Sequence, residues 1–275
     1  MTTSYSLITL AGYASVRIYD EVSSTMDVAR AALQETGAPS GQHSIVIAER
    51  QSSGRGRQGR SWGSSKGAFM GTYVFSTEAP VSQLSGYSLV VGVAIARVVA
   101  SFGVTIQLKW PNDLVVVENN ELKKLGGILI EVQDLGASRA ILVGVGLNLT
   151  EHPLDVAHSA SLQSVSGRSI SRAEMLPGMS AELLACHAAF IERGGFEGFR
   201  AEWESLSCFE NDSTTLTIDQ GERCLTGIYL GVDSNGALRL GSSNGEQLVH
   251  SGHVTQLSEL RSQTPHGSIC GANRG

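Results

Sequence analysis

The sequence has few of the features that mark secreted, membrane-spanning or zinc-binding proteins. Its four cysteines (Cys186, Cys208, Cys224 and Cys270) are scattered, without the CxxC pairs or His/Cys spacing typical of zinc sites. This pattern predicts free thiols in a reducing compartment. No apolar run approaches the roughly 20 residues that span a bilayer, and the N-terminus lacks the basic start and long apolar stretch of a secretory signal. These absences predict a soluble, cytoplasmic protein with no membrane partner.

The chain also lacks an excess of positive charge. Its formal net charge is −6, whereas a general nucleic-acid binder depends on a basic face, so no nucleic-acid partner is expected. The seven histidines are dispersed and never stand at i, i+4 around a carboxylate, so no protein-built metal site is expected. Hydrophobic residues are 41% of 275 residues, which is enough for a substantial core in one large domain, or in a large and a small one.

The pattern of secondary structure changes along the chain. Apolar residues at helical spacing predict helices over 85–102 and 171–193, and a run of strands with short turns from 105 to 149 predicts antiparallel pairing. Beyond residue 213, short β-rich runs alternate with Gly- and Asn-rich turns, which indicates a small all-β module. We therefore predict an α/β fold with a mixed, largely antiparallel sheet backed by helices and followed by a small β-barrel. The predicted divisions are a domain over 1–208, a barrel over 209–260 and a disordered tail over 261–275.

One segment concentrates positive charge on a flexible backbone. From Arg50 to Lys66 there are four arginines and one lysine but no acid. Glycine permits close backbone approach and positive φ, successive backbone N–H groups can form an anion nest, and arginine suits carboxylate and phosphate oxygens. The alternating residues are Gly54, Arg55, Gly56, Arg57, Gly59 and Arg60. The residues themselves indicate a loop that wraps an anionic small molecule; a mobile surface loop or a nonspecific nucleic-acid patch remains an alternative.

Four further motifs accompany this loop in a fixed order. They are Ser23-Ser-Thr25, Lys109-Trp-Pro-Asn-Asp113, Lys123-Lys-Leu-Gly-Gly127 and Gly144-Val-Gly-Leu-Asn148. The Gly-x-Gly of the last motif has no third glycine or following helix, so it is not a dinucleotide fingerprint. Together, from about residue 18 to residue 150, the motifs resemble those of the biotin protein ligases, and a weaker similarity covers the C-terminal region.

The resemblance implies roles for individual residues. It makes Lys124, not Lys123, the lysine that bridges the biotin carboxylate and the phosphate, and it places Met26 where the family often has asparagine. The implied catalytic residues are Arg57, Lys124 and Asp113, with Asp113 orienting or deprotonating the acceptor lysine. The implied biotin-binding residues are Ser24, Thr25, Gln51, Gly54, Arg55, Gly56, Arg57, Lys124 and Gly127. The implied ATP-binding residues are Arg57, Arg60, Trp62, Asn112, Lys124 and Asn148.

The resemblance also implies a fold and an activity. The fold would be a catalytic α/β domain with an SH3-like C-terminal barrel. Biotin and ATP, with Mg²⁺ arriving on the ATP, would form biotinyl-5′-AMP. A lysine of a biotin carboxyl-carrier domain, part of a biotin-dependent carboxylase, would then take the biotinyl group. The loop from Gln51 to Lys66 would close over the intermediate. A homodimer is among the oligomeric states that the resemblance leaves open.

Two other functions are weighed against this one. A lipoate or octanoate ligase or transferase of the same superfamily would share the sheet and the lysine, although the Gly/Arg loop and the Lys109–Asp113 motif speak against it. A biotin-sensing transcriptional repressor would need a helix-turn-helix domain. About fifteen residues precede the first predicted strand at Val16, which is too few for such a domain, so the repressor function is disfavoured.

Overall fold

The computed structural model describes residues 4–36, 41–63, 67–118, 121–151, 158–221 and 223–256. The predicted tail, 261–275, Cys270, and the end of the predicted closing loop at Lys66 lie outside the described residues. Within the described residues no helix is both long and apolar enough to cross a membrane.

The main body is built on an eight-stranded sheet. Six of its seven neighbouring strand pairs are antiparallel, and one, formed by the second and third strands, is parallel. The spatial order of the strands is β1-β2-β3-β4-β8-β7-β6-β5. Their bounds are β1 Tyr5–Ile8, β2 Ser15–Val22, β3 Ser44–Gln51, β4 Phe69–Thr77, β5 Gln107–Lys109, β6 Asp113–Glu118, β7 Glu121–Asp134 and β8 Arg139–Leu147.

Helices cover both faces of this sheet. Side chains alternate across a strand, so Ile45 and Ile47 of β3 enter one apolar cluster while Val46 and Ala48 enter another. Helix α1 packs on the second cluster, which includes Met26, and helices α2 and α4 pack against each other on the first. The helices are α1 Thr25–Thr36, α2 Tyr87–Ser101, α3 Leu162–Ser166, α4 Arg172–Glu192 and α5 Arg200–Ser205.

A smaller sheet follows the helices. Its five strands are all antiparallel, in the order β12-β11-β10-β9-β13. The strands are β9 Thr215–Asp219, β10 Cys224–Val232, β11 Leu238–Ser242, β12 Gly245–Val249 and β13 His253–Gln256. The predicted α/β class, with a largely antiparallel mixed sheet and a small C-terminal all-β module like an SH3 barrel, is confirmed. The domain boundary at 208/209 stays a prediction.

The small sheet is seated against the main body by a tight contact. The buried Trp110 donates from Nε1 to the carbonyl of Gly236 at 3.0 Å. A Cβ added at Gly236 would lie 2.8 Å from the Cα of Gly86, at the start of α2, so only glycine fits this approach. Ser85 Oγ also donates to the carbonyl of Asn235 at 2.9 Å. The turn before β11 therefore fixes the small sheet beside the Lys109–Asp113 motif.

Several predicted elements need correction. The predicted helices over 85–102 and 171–193 are present as α2 and α4, and Ser171 caps α4 in a capping box with Glu174. Strands β1 and β13 and helix α3 were not predicted, because they are too short for a clear periodic pattern. The prediction of free thiols is confirmed for Cys186 and Cys208 and is wrong for Cys224, which is disulfide-bonded. Cysteine spacing alone does not tell which cysteines are paired.

Candidate functional site

A cavity of about 900 Å³ lies where the Gly/Arg loop, the β5–β6 turn, strands β7 and β8, and strand β13 of the small sheet meet. Fourteen residues were predicted from the sequence to be catalytic, biotin-binding or ATP-binding, and twelve of them line this cavity. They are Ser24, Thr25, Gln51, Arg55, Gly56, Arg57, Arg60, Trp62, Asn112, Asp113, Lys124 and Gly127. Gly54 and Asn148 do not line it. Residues that are 100 positions apart in sequence therefore share one cavity, whose volume is ordinary for a small-molecule site.

The Lys109–Asp113 motif forms the turn between two antiparallel strands. Lys109 at the end of β5 pairs with Asp113 at the start of β6, and the peptide bond between Trp110 and Pro111 is cis. Asn112 is held against β7, since its Nδ2 donates to the carbonyl of Ile128 at 2.9 Å and the Ile128 N–H donates to its own carbonyl at 3.0 Å. The amide oxygen of Asn112 is thereby aimed at the Gly/Arg loop.

Lys124 reaches the cavity through an irregularity in β7. Asp113 pairs with Gly127, but Val115 pairs with Lys124, so β7 carries one extra residue in this stretch. Such a β-bulge re-aims neighbouring side chains. Lys124 Nζ lies 2.5 Å from Asp113 Oδ1. Lys123 instead pairs with Glu118, at 2.6 Å between Nζ and Oε2, and does not line the cavity. The two adjacent lysines therefore have different surroundings.

Arg57 lies in a 3₁₀ turn of the Gly/Arg loop and donates from Nη1 to Asn112 Oδ1 at 3.0 Å. Partial burial lowers the pKa of Arg57, the nearby Asp113 carboxylate raises it and Arg60 lowers it. An arginine nevertheless stays charged in proteins. A partly buried guanidinium with a neutral acceptor as its hydrogen-bond partner can form strong charge-assisted bonds with an incoming anion.

The inner end of the cavity is polar on one side and apolar on the other. Thr25 donates from its backbone N and from Oγ1 to Gln51 Oε1, at 2.7 and 3.1 Å, and Thr72 Oγ1 donates to Thr25 Oγ1 at 2.9 Å. These bonds fix the orientation of the Gln51 amide. On the apolar side, Met26 lies against β8, where a Cβ added at Gly144 would be 3.1 Å from its sulfur. This end suits a ligand with both amide-like and apolar groups.

Trp62 lies over a floor of glycines. A Cβ added at Gly146 would be 2.5 Å from the indole ring, and one at Gly127 would be 3.5 Å from it. Lys124 Nζ is 5.9 Å from the centroid of the ring, within the range of a cation–π contact. The indole Nε1 is buried without a hydrogen-bond partner among the described residues. The absence of side chains at these glycines leaves room for the indole on this wall.

Three predicted residues are placed differently from expectation. Arg55 lines the cavity, but its guanidinium is paired with Asp27 at 2.8 Å and lies 3.7 Å from Glu131. Gly54 lies behind the cavity wall, where its carbonyl accepts from the Trp62 N–H at 2.8 Å. Asn148 is only 2% exposed, and its Nδ2 donates to the carbonyl of Ala160 at 3.0 Å. In this conformation it connects the end of β8 to the residues before α3 and does not face the cavity.

The structure adds lining residues that sequence reasoning missed. Strand β13 contributes His253 and Thr255. Lys109, the first residue of the Lys109–Asp113 motif, also lines the cavity. Partial burial and the cations Arg60, Lys109 and Lys124 lower the pKa of His253, while Asp113 raises it. Lys109 could have been found from the motif itself. The β13 residues carry no sequence signal, because only docking of the small sheet brings them to the site.

The cavity suits condensation chemistry between anions. Two cations, Arg57 and Lys124, are held beside consecutive residues of one turn, and further positive side chains surround them. Such an arrangement can bring a carboxylate and a phosphate together and stabilise the charge that develops between them. Among the described residues there is no group of three or more His, Cys, Asp or Glu side chains placed to hold a metal ion.

Comparison with known proteins gives a consistent result. Residues 19–148 match the sequence model of the Biotin/lipoate A/B protein ligase family. The bifunctional ligase/repressor BirA of Escherichia coli (strain K12) is 32% identical over 201 residues, covering 70% of this chain and 60% of that protein. The biotin--[acetyl-CoA-carboxylase] ligase of Paracoccus denitrificans is 27% identical over 219 residues, covering 76% of this chain and 88% of that protein.

The similarity extends to solved structures. The biotin protein ligase from Aquifex aeolicus, in complex with biotin and ATP, superposes with a TM-score of 0.72 at 25% identity. The match covers 89% of this chain and 99% of that one. By contrast, the chain spans only about 60% of the length of the E. coli ligase/repressor.

Proposed function

We propose that this chain is a biotin protein ligase, on its similarity to the biotin/lipoate A/B protein ligase family and to the relatives named above, and that it attaches biotin to a lysine of a carrier protein through biotinyl-5′-AMP. The observation that carries the proposal is the placement of Arg57 and Lys124. The first is bonded to Asn112 and the second to Asp113, so two cations from different elements meet at one turn in the same cavity.

The first half-reaction joins two anions. A carboxylate oxygen of biotin attacks the α-phosphorus of ATP, the bond to the β-phosphate oxygen breaks, and pyrophosphate leaves. Arg57 and Lys124 would offset the repulsion between the carboxylate and the phosphate and stabilise the charge on the transferring group. Both are held before the ligands arrive, which lowers the reorganisation needed during the reaction.

The two ends of the cavity suit the two parts of the intermediate. The oriented amide of Gln51 and the hydroxyls of Ser24 and Thr25 would bind the ureido ring of biotin, with Met26 beside its apolar part. The indole of Trp62, which lies on the glycine-lined wall, would stack on the adenine. Arg60 would lie near the phosphates. We propose Gly56 and Gly127 as places where the backbone approaches the ligand closely, because each lines the cavity without a side chain.

The second half-reaction transfers the biotinyl group. The ε-amine of the acceptor lysine attacks the acyl carbon, the acyl–phosphate bond breaks, and AMP leaves. The amine must be neutral to attack. Asp113 is the carboxylate nearest the two proposed catalytic cations, so we propose that it orients the amine and accepts its proton. For this it must release Lys124, which the adenylate phosphate can then hold.

Three further points complete the proposal. Mg²⁺ would arrive on the ATP phosphates, since it binds mainly through phosphate oxygens and water. The partner would be the biotin carboxyl-carrier domain of a carboxylase, in line with the name of the P. denitrificans relative. Action in the cytoplasm and a homodimeric state stay predictions. No observation on the described residues favours the repressor activity that is part of the E. coli relative's name.

The proposal is tested by mass spectrometry of the purified protein. Incubation with biotin, ATP and Mg²⁺ should give protein-bound biotinyl-AMP, and addition of a carrier domain should raise the mass of that domain by one biotinyl group. The Lys124→Ala variant serves as a control for contaminating ligase. Absence of biotinyl-AMP, or preferential adenylation of lipoate or octanoate in a competition assay, would reject biotin as the substrate.

A further inference from the structure

We propose that a network of four charged side chains latches the Gly/Arg loop (Gln51–Trp62) to α1 and β7, and that Arg55 is a positioning residue of this latch and not a ligand of biotin. The inference deepens the proposed function, on which its second experiment rests. The network consists of Asp27, Arg30, Arg55 and Glu131.

The network joins three elements that are distant in sequence. Asp27 Oδ1 accepts from Arg30 at 2.8 Å, within α1, and lies 2.8 Å from Arg55 Nη2, which comes from the loop. Glu131, toward the end of β7, is bonded to Arg30 and lies 3.7 Å from Arg55. Each carboxylate thus contacts both guanidinium groups. Two positive and two negative charges alternate around a closed ring with no net charge.

A closed network of this kind contributes more to stability than an isolated surface ion pair does. Isolated exposed pairs contribute little to stability, but networks of partly buried groups contribute more. The four side chains are 32% to 41% exposed, whereas the exposed Arg50–Glu21 pair nearby is 73% and 49% exposed. The network is therefore less screened by water than that pair, and Arg55 connects the loop to two rigid elements at once.

The latch determines where Arg57 lies. Three backbone hydrogen bonds fold the loop on itself, from Gly56 to Arg60, from Arg60 to Arg57 and from Trp62 to Gly54, but these bonds do not attach it to α1 or β7. Gln51, at the start of the loop, accepts two hydrogen bonds from Thr25 of α1. Arg55 attaches the middle of the loop to α1 and β7, while Arg57, two residues later, donates to Asn112. Fixing Arg55 therefore holds Arg57 at the proposed anion site before ligand arrives, which reduces the ordering cost of binding.

The first test needs no ligand. Hydrogen–deuterium exchange of the peptide covering 52–62 should be at least about threefold faster in Arg55→Met than in the wild type at low salt, because the amides of Gly56, Arg60 and Trp62 open more often. Asp27→Asn should have the same direction of effect, although Asp27 does not line the cavity. High salt should bring the wild type toward the variants, since ions screen the network.

A matched control removes a different ion pair. Glu21→Gln breaks the exposed pair with Arg50 and should leave exchange of the loop peptide unchanged. The peptide covering 238–249 of the small sheet reports on global folding and should be unchanged in every variant. Unchanged loop exchange in both Arg55→Met and Asp27→Asn would overturn the latch, whatever the reaction of the protein proves to be.

The second test separates positioning from direct contact with biotin. The latch predicts that Arg55→Met and Asp27→Asn both weaken biotin binding by about two- to tenfold, the range expected for loosening a networked ion pair. Single-turnover formation of biotinyl-AMP at saturating substrates should stay within about twofold of wild type. Weakened binding in Arg55→Met alone, with normal loop exchange and a normal Asp27→Asn variant, would show a direct contact and reject the proposal.

Discussion

Lys124 Nζ, on β7, lies 2.5 Å from Asp113 Oδ1, on the neighbouring strand β6. The carboxylate of Asp113 therefore occupies, in the free cavity, a position at which Lys124 can meet a substrate carboxylate or phosphate. An internal carboxylate orients the lysine without closing the site to anions. In the proposed reaction, a carboxylate or phosphate oxygen of the ligand would replace Asp113 as the partner of Lys124, and Asp113 would become available to the acceptor amine.

The adjacent lysines provide a matched pair of variants. Lys124→Ala should reduce pyrophosphate release by about 10²–10³-fold, the usual effect of removing one preorganised charged group. Lys123→Ala should have a mild effect, because Lys123 pairs with Glu118 outside the cavity. Steady-state release at saturating biotin and ATP measures the difference. Equal losses in the two variants would mean that the lysines act together as a diffuse basic patch.

Arg57→Ala should also slow adenylation by about 10²–10³-fold and shorten retention of the intermediate, since a charge-assisted contact is lost where negative charge develops. Arg50→Ala is the control, because Arg50 pairs with Glu21 in solvent. Pyrophosphate release and dissociation of labelled biotinyl-AMP are the two measurements. A rate within about twofold of wild type would remove Arg57 from the reaction.

Asp113→Ala should separate the two half-reactions. Adenylation should continue at a reduced rate because both cations remain, whereas transfer should fall further because the acceptor lysine loses its proton acceptor. Presynthesised biotinyl-AMP and a carrier domain measure transfer alone. If transfer from the supplied intermediate matches wild type, Asp113 has no part in the second step and serves only to hold the turn and Lys124.

Gly146→Ala tests the glycine floor under Trp62. The added Cβ would lie 2.5 Å from the indole, so the ring must move, and both tryptophan emission and biotin-dependent adenylation should change. Gly178→Ala, in α4, is the control, since its Cβ would be 3.6 Å from Val98, an ordinary contact, and alanine favours a helix. Normal adenylation and emission in Gly146→Ala would show that the ring position is unimportant.

Acid should destabilise the protein through a buried histidine behind the sheet. His187 Nδ1 lies 2.8 Å from the Tyr87 hydroxyl and its ring stacks on Phe75; burial, helped by the nearby His43, lowers the pKa of His187 to about 4. The unfolded chain binds this proton near pH 6.5, so stability is full above that pH and is lost as the pH falls toward 4.

Between pH 7.5 and pH 5 this single group should remove about 2 kcal/mol from the free energy of unfolding. Urea unfolding at a series of pH values measures it. His187→Gln, which keeps a hydrogen-bond partner for Tyr87, should be less stable at pH 7.5 but should lose less on acidification. Parallel pH dependences in the two proteins would exclude His187 as the cause.

The sequence alone determined what depends on local chemistry. The alternation of glycine and arginine predicted an anion-binding loop, because both properties belong to the residues themselves. The order of the motifs predicted the family, and apolar residues at helical spacing predicted α2 and α4. The resemblance selected Lys124 and not Lys123, and consecutive residues of a strand point to opposite faces.

The tertiary structure decided what depends on distant partners. Arg55 and Arg57 are the same residue type in the same loop, yet one pairs with Asp27 and the other with Asn112. No local pattern distinguishes them, because their partners lie on other elements. Asn148 has a motif position but donates to Ala160, and His253 reaches the cavity because the small sheet docks through Trp110. The sequence sets the type of each side chain, whereas the packing of the sheets and helices sets which other residue that side chain contacts.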